Sequence, residues 1–187
     1  MSTPSAKMMV LVGEKFACIK ITGRANFSSS IDFRTLVNEL LRKGYTCFVL
    51  DLSECSLMDS TFLGVLAGFG LKMGPKDQAG PGIELLNPNA RITELLETLG
   101  VLHLFRLAQR ASSAPESTEA QAYTPVTSTK EEVKQACLEA HQTLMEINPQ
   151  NISRFKDVAQ FLAEDLKRLK ELPPEPADPK KLNGLSS

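Results

Sequence analysis

The 187-residue chain predicts an α/β fold, a mixed sheet of about five strands with helices packed on it, followed by a C-terminal helical hairpin. Three observations carry that reading. Short aliphatic and β-branched runs at 7–12, 16–22, 47–52 and 83–86 have strand length and composition. Between them lie segments of helical period, and strands alternating with helices imply crossover connections and a partly parallel sheet. Beyond residue 129 the helical period continues through 130–148 and 151–172 with no strand between.

The elements follow in order. Runs 7–12 and 16–22 are separated by Gly13-Glu14-Lys15, the length and glycine content of a hairpin loop. Gly23-Arg24-Ala25-Asn26 breaks the pattern, and Ser28-Ser29-Ser30 offers N-cap residues for a helix bearing Phe33, Leu36, Val37, Leu40 and Leu41, with Gly44 as its stop. Run 47–52 is apolar enough for a buried strand closing on Asp51, and Asp59-Ser60-Thr61 are all capping types, so a helix begins near Ser60. From Ser60 to Leu71 no residue is charged, which leaves that helix almost without a polar face. It is far shorter than the ~20 residues a bilayer needs, so it requires a second protein surface, either a partner or the rest of this chain. Gly64 and Gly68 would let it approach the sheet closely.

Gly80-Pro81-Gly82 punctuates a loop before strand 83–86. Asn89 caps a helix over 90–99 with Ile92, Leu95, Leu96 and Leu99 on one face, Gly100 ends it, and 101–107 supplies a last edge strand. The order is β-β-α-β-α-β-α-β. Residues 108–129 are rich in Ala, Ser, Thr, Glu and Pro and read as a linker. Thr129 with Glu132 three residues on forms a capping box for helix 130–148, whose apolar residues include Val133, Cys137, Ala140, Leu144 and Ile147. Pro149 ends it, and helix 151–172 carries Ile152, Phe155, Ala159, Leu162, Leu166 and Leu169. The proline-rich end reads as a flexible tail. The expected organisation is therefore a domain over 1–107, a linker over 108–129, a helical extension over 130–172 and a tail over 173–187.

Composition excludes several functions. A net charge of -1 without a long basic run gives no footprint for nucleic acid or an anionic membrane. The first residues lack the basic start and apolar run of an export signal, so the expected location is cytoplasmic. Cys18, Cys47, Cys55 and Cys137 show no CxxC spacing and read as structural thiols. His103 and His141 are isolated from other ligand types and read as surface or helix residues, so neither a metal nor another cofactor is expected. With no GxxxxGK loop, no mapped acid pair and no Cys/His/Asp motif, the chain does not read as an enzyme.

The stretch VLDLSECSLMDSTFLGVLAG, preceded by ITGRAN and followed by IELLNPNARITELLETLGVLHLF, resembles a STAS domain of the bacterial anti-sigma factor antagonist type, over about residues 7–107. The match lies at Asp51, Leu52, Met58, Asp59, Ser60, Thr61, Leu63 and Gly64, with the family's spacing. The resemblance implies a non-enzymatic binding protein whose partner is an anti-sigma factor with serine kinase activity. That partner is bound while Ser60 is free, the sigma factor is released and transcription is regulated, and phosphorylation of Ser60 ends the contact. Asp59 and Thr61 are then supporting residues. Phe62 stands where better-known members have glycine, and Asn26 where an acidic residue is usual, which bears on the partner contact at both. The appended helices exceed the single terminal helix usual in the family.

Spacing alone favours reading Ser60 as only an N-cap, worth about 1 kcal/mol, and the family resemblance reverses that preference. As a phosphoacceptor it would gain about -1.5 to -2 charge at a helix N-terminus, where free amides and the dipole tolerate an anion. A partner packed there would have to desolvate that charge beside Asp59. The alternative function is a non-switching STAS scaffold subunit of a stress-signalling or transport complex, with a homodimer among the possible assemblies. The hairpin 130–172 could also pack on the apolar helix and mask it until a partner arrives.

Overall fold

The computed structural model describes residues 5–74, 81–110 and 120–172; the predicted tail at 173–187 lies outside them. Strands β1 (Lys7–Val12) and β2 (Phe16–Ala25) form an antiparallel hairpin, followed by α1 (Phe27–Arg42), β3 (Cys47–Asp51), β4 (Cys55–Met58) and α2 (Ser60–Met73). Then come β5 (Gly82–Leu86), α3 (Ala90–Thr98), a 3-10 turn over Leu102–Leu104, β6 (Arg106–Ala108), β7 (Gln121–Ala122), α4 (Lys130–Ile147) and α5 (Ile152–Glu171).

Among the described residues the sheet has seven strands in the order β6-β5-β3-β2-β1-β7, with β4 paired to the far end of β2. The pairs β2/β3, β3/β5 and β5/β6 are parallel, while β1 pairs antiparallel with both β2 and β7. Alternation along β2, β3 and β5 sends Ala17, Ile19, Ile21, Phe48, Leu50, Ile83 and Leu85 into the core. Cys18, Lys20, Cys47, Val49, Asp51 and Glu84, on the opposite face, are only half-buried. Core residues of α1 and α2, among them Phe33, Leu36, Leu63 and Leu66, join the same apolar cluster.

The expected mixed sheet with packed helices is present, with two short strands added. β4 lies in the polar stretch before Asp59 and pairs Leu57 and Met58 with Arg24 and Ala25, which extends β2 past its expected end at residue 22. The segment 101–107, expected as one strand, splits into the 3-10 turn and β6, with Val101 and Phe105 buried. Part of the expected linker is structured: Ala122 pairs with Met9, Tyr123 N–H donates to the Met8 carbonyl, and Val126 N–H donates to Asp32 Oδ1 at 3.0 Å.

The C-terminal helices form the expected hairpin. Leu138 and Met145 of α4 pack with Ala159, Leu162 and Leu166 of α5. The turn is fastened to the domain by Asn151, whose Nδ2 donates to the carbonyls of Leu99 and Leu144 at 2.9 Å. Leu144, Ile147 and Phe155 reach the main core, so the hairpin shares the domain's apolar interior. No helix among the described residues is long and apolar enough to cross a membrane.

Candidate functional site

The residues singled out by sequence meet where α1 and α2 begin. Asp59 follows the short strand β4, in extended conformation, and its Oδ1 accepts the Phe62 amide at 2.8 Å as N-cap of α2. Its Oδ2 accepts the Phe27 amide of α1 at 2.7 Å, and its own N–H donates to the Ala25 carbonyl. One carboxylate thus satisfies an orphan amide of each helix and complements both dipoles.

Asn26, not the Ser28-Ser29-Ser30 cluster, is the N-cap of α1. Its side chain accepts the Ser29 amide at 3.1 Å while Ser29 Oγ accepts the Asn26 amide, a reciprocal capping box. The serine cluster offered three plausible caps, but β2 runs on to Ala25 and brings Asn26 into the cap position instead. The Asn26 side chain also accepts a hydrogen bond from Ser5 Oγ at 3.3 Å.

Ser60 is the first residue of α2 and leaves capping to Asp59. Its half-buried Oγ lies 3.0 Å from Nε2 of His141, on α4. The other ring nitrogen, Nδ1, sits 2.7 Å from the Cys137 carbonyl, a geometry in which Nδ1–H donates and Nε2 accepts the serine proton. Thr61 is buried beneath the same helix and its hydroxyl donates to Cys137 Sγ at 3.6 Å. Phe62 points the other way: it is 0% exposed, its ring 5.0 Å from that of Phe33, so any influence on a partner acts through the placement of α2.

His141 was expected to be a surface or helix residue. It is on a helix but only 6% exposed, wedged between Ser60 and the Phe155 ring of α5 at 4.9 Å. Burial lowers its pKa from the ordinary value; the Cys137 carbonyl and the Asp59 carboxylate oppose that shift without cancelling it. The imidazole is thereby held neutral. Burial likewise pushes the Cys137 thiol up, with the Thr61 hydroxyl opposing and Asp59 reinforcing, so it is a packed thiol rather than a reactive one. A signal for His141 was present in the sequence, since Cys137, Ala140 and Leu144 bracket it on the inward side of α4.

Gly64, expected to allow close approach to the sheet, instead meets α4. A Cβ built there would lie 2.4 Å from the Ala140 carbonyl oxygen and 2.7 Å from Ala140 Cβ. Ala136 and Ala140 present small side chains to this crossing, and beside it a cleft of about 140 Å³ runs between α1, α2 and α4. The Arg34–Glu139 ion pair at 2.9 Å bridges α1 and α4 at the cleft. No group of three or more His, Cys, Asp or Glu side chains suited to a metal ion occurs among the described residues, and Cys18, Cys55 and Cys137 are free thiols.

The model of the STAS domain family matches residues 7–114. Among solved structures, the chain is similar to the anti-sigma factor antagonist SpoIIAA in its unphosphorylated form, at 20% identity, 55% of this chain, 88% of that one and a TM-score of 0.47. It is also similar to the Bacillus cell fate determinant SpoIIAA in the phosphorylated form, at 19% identity, 55% of this chain, 91% of that one and a TM-score of 0.44. No curated protein matches. A family match covering more than half of the chain, over a sheet and capped helix laid out as the motif implied, makes this protein a member of the STAS domain family.

Proposed function

We propose that this chain is a phosphorylation-switched anti-sigma factor antagonist, acting in the cytoplasm. It binds an anti-sigma factor with serine kinase activity while Ser60 is free, so that a sigma factor is released, and it lets go once Ser60 carries phosphate. The observation that carries this reading is the division of labour at the start of α2. Asp59 does the capping, so the Ser60 hydroxyl, on the first residue of the helix, takes no part in the cap and meets the His141 side chain of α4.

In the transfer, Ser60 Oγ forms a bond to the γ-phosphorus of the nucleoside triphosphate held by the partner. The bond from that phosphorus to the β,γ-bridging oxygen breaks, the serine proton is lost to base, and the nucleoside diphosphate departs. The product anion sits at a helix N-terminus that tolerates it, so the fold persists while the surface changes. A partner face that must desolvate this charge beside Asp59 loses affinity by several kcal/mol, several decades in Kd. In this reading residues 1–107 are the switching domain, 108–129 link it, and 130–172 are an added helical extension.

The test is binding to the anti-sigma factor kinase of the same genome. Ser60→Ala should bind constitutively and Ser60→Glu weakly, and incubation of wild type with that kinase and ATP should place phosphate on Ser60 by mass spectrometry. Unchanged affinity in both variants would refute the switch. A second reading, a non-switching scaffold subunit, is favoured by the exposed Val158 and Phe161 of α5, at 38% and 60% exposure, which suit a permanent contact. Light scattering after size exclusion separates the two, since the scaffold reading requires a stable oligomer.

A further inference from the structure

We propose that the face of α2 centred on Ser60 and Gly64 is a helix-docking surface whose resident ligand is α4 of the same chain, and that α4, a partner helix and a phosphate on Ser60 exclude one another there. The part of this concerning phosphate rests on the switch reading above; the docking surface itself rests on contacts already seen.

The surface is built for a helix. Gly64 lets the partner backbone come within contact of α2, and the occupant supplies Ala136 and Ala140, four residues apart and therefore on one side of α4. Two polar groups fix the register along the crossing, Ser60 Oγ on His141 Nε2 and Thr61 Oγ1 on Cys137 Sγ. A competing partner would present the same features: an amphipathic helix with a pair of small residues over Gly64 and a hydrogen-bonding side chain over Ser60.

Phosphate cannot join this arrangement. Its three oxygens need the space beyond Ser60 Oγ that the imidazole ring occupies at 3.0 Å, and the ring is backed by Phe155, leaving it no room to retreat while α4 and α5 stay in place. The ring is held neutral by burial and the Asp59 carboxylate lies beside it, so the site offers a dianion repulsion rather than a cation. The same occupancy keeps a kinase from Ser60 until α4 has moved. Release of α4 therefore precedes modification, and modification bars its return.

Amide hydrogen exchange on the full chain, with phosphoserine installed at position 60 during translation, tests this without any kinase. Peptides from α4 should exchange at least about tenfold faster than in the unmodified chain, with β2 and β3 unchanged. Unchanged or slower exchange in α4 would overturn the proposal, slower exchange meaning that His141 takes up a proton and clasps the phosphate. Loosening of β2 and β3 together with α4 would overturn it too, because phosphate would then be damaging the fold. If α4 is released as expected but the kinase never modifies Ser60, the switch reading falls and the docking surface stands.

Discussion

Gly64→Ala puts two effects of opposite sign against each other, and the structure decides between them. In a helix interior alanine is favoured over glycine by about 0.5–1 kcal/mol, so an unpacked α2 would gain stability. With α4 docked, the new methyl would sit 2.4 Å from the Ala140 carbonyl oxygen, where ordinary contact begins at 3.4 Å. The obstacle is backbone, which cannot rotate away, so the two helices must part by about 1 Å. A gap of that size forfeits a quarter to a half of each dispersion contact across the crossing, and overpacking of this kind costs about 1–3 kcal/mol. The net expectation is a loss of about 1–2 kcal/mol, or about 2–8 °C in Tm for a chain of this size. Urea and thermal denaturation by circular dichroism measure it. A variant more stable than wild type would refute the described packing of α4 on α2.

Three further outcomes follow from the same contacts. Asp59→Ala leaves one first-turn amide of α1, that of Phe27, and one of α2, that of Phe62, without an acceptor and should destabilise by about 2 kcal/mol, about one per lost hydrogen bond, in urea titration; a change below ~0.5 kcal/mol would show that the carboxylate is dispensable. Acidification should loosen α4. The pKa of His141 is lowered when docked, so between that value and the ordinary 6.5 the undocked state binds more protons, and docking weakens as pH falls through that window. The groups around it, Asp59, Ser60, Cys137 and the uncharged Phe155, leave burial as the governing term. Asp32, whose carboxyl burial raises, acts in the opposite sense because its protonation favours the fold as pH falls toward the carboxylate range. Exchange of α4 amides at pH 7.5 and 5.5, corrected for intrinsic rates, should show the loosening, and His141→Gln should abolish its pH dependence. Equal pH dependence in that variant would assign the effect elsewhere.

Much of the domain was legible because its signals are local. The run at 47–51, the uncharged stretch from Ser60 to Leu71, and the caps Asn89 and Thr129 each announce themselves within a few residues. What escaped depends on distant pairing. β4 is four residues long and is a strand only because the end of β2 lies beside it, more than thirty residues earlier. β7 is two residues in a stretch of linker composition, held by β1. The cap of α2 could not be chosen among Asp59, Ser60 and Thr61 by type alone; chain direction out of β4 settles it, and with it leaves the Ser60 hydroxyl to His141. His141 is the sharpest case. Its partner lies 81 residues away, so the sequence shows an isolated histidine where the fold shows the group that covers Ser60.

The short tether ahead of α4 has a quantitative consequence for any competitor. β7 is pinned to β1, and only residues 123–129 separate it from α4, with Val126 tied to Asp32 on the way. An α4 that has left its place thus remains at an effective concentration on the order of millimolar. A separate protein present at about 1 μM is outnumbered about a thousandfold, and must bind α2 intrinsically better by about 4 kcal/mol to hold half of the molecules. Tether length therefore sets the threshold of the response: doubling a flexible loop costs about 0.6 kcal/mol of closure, which lowers that threshold about threefold while every contact stays the same.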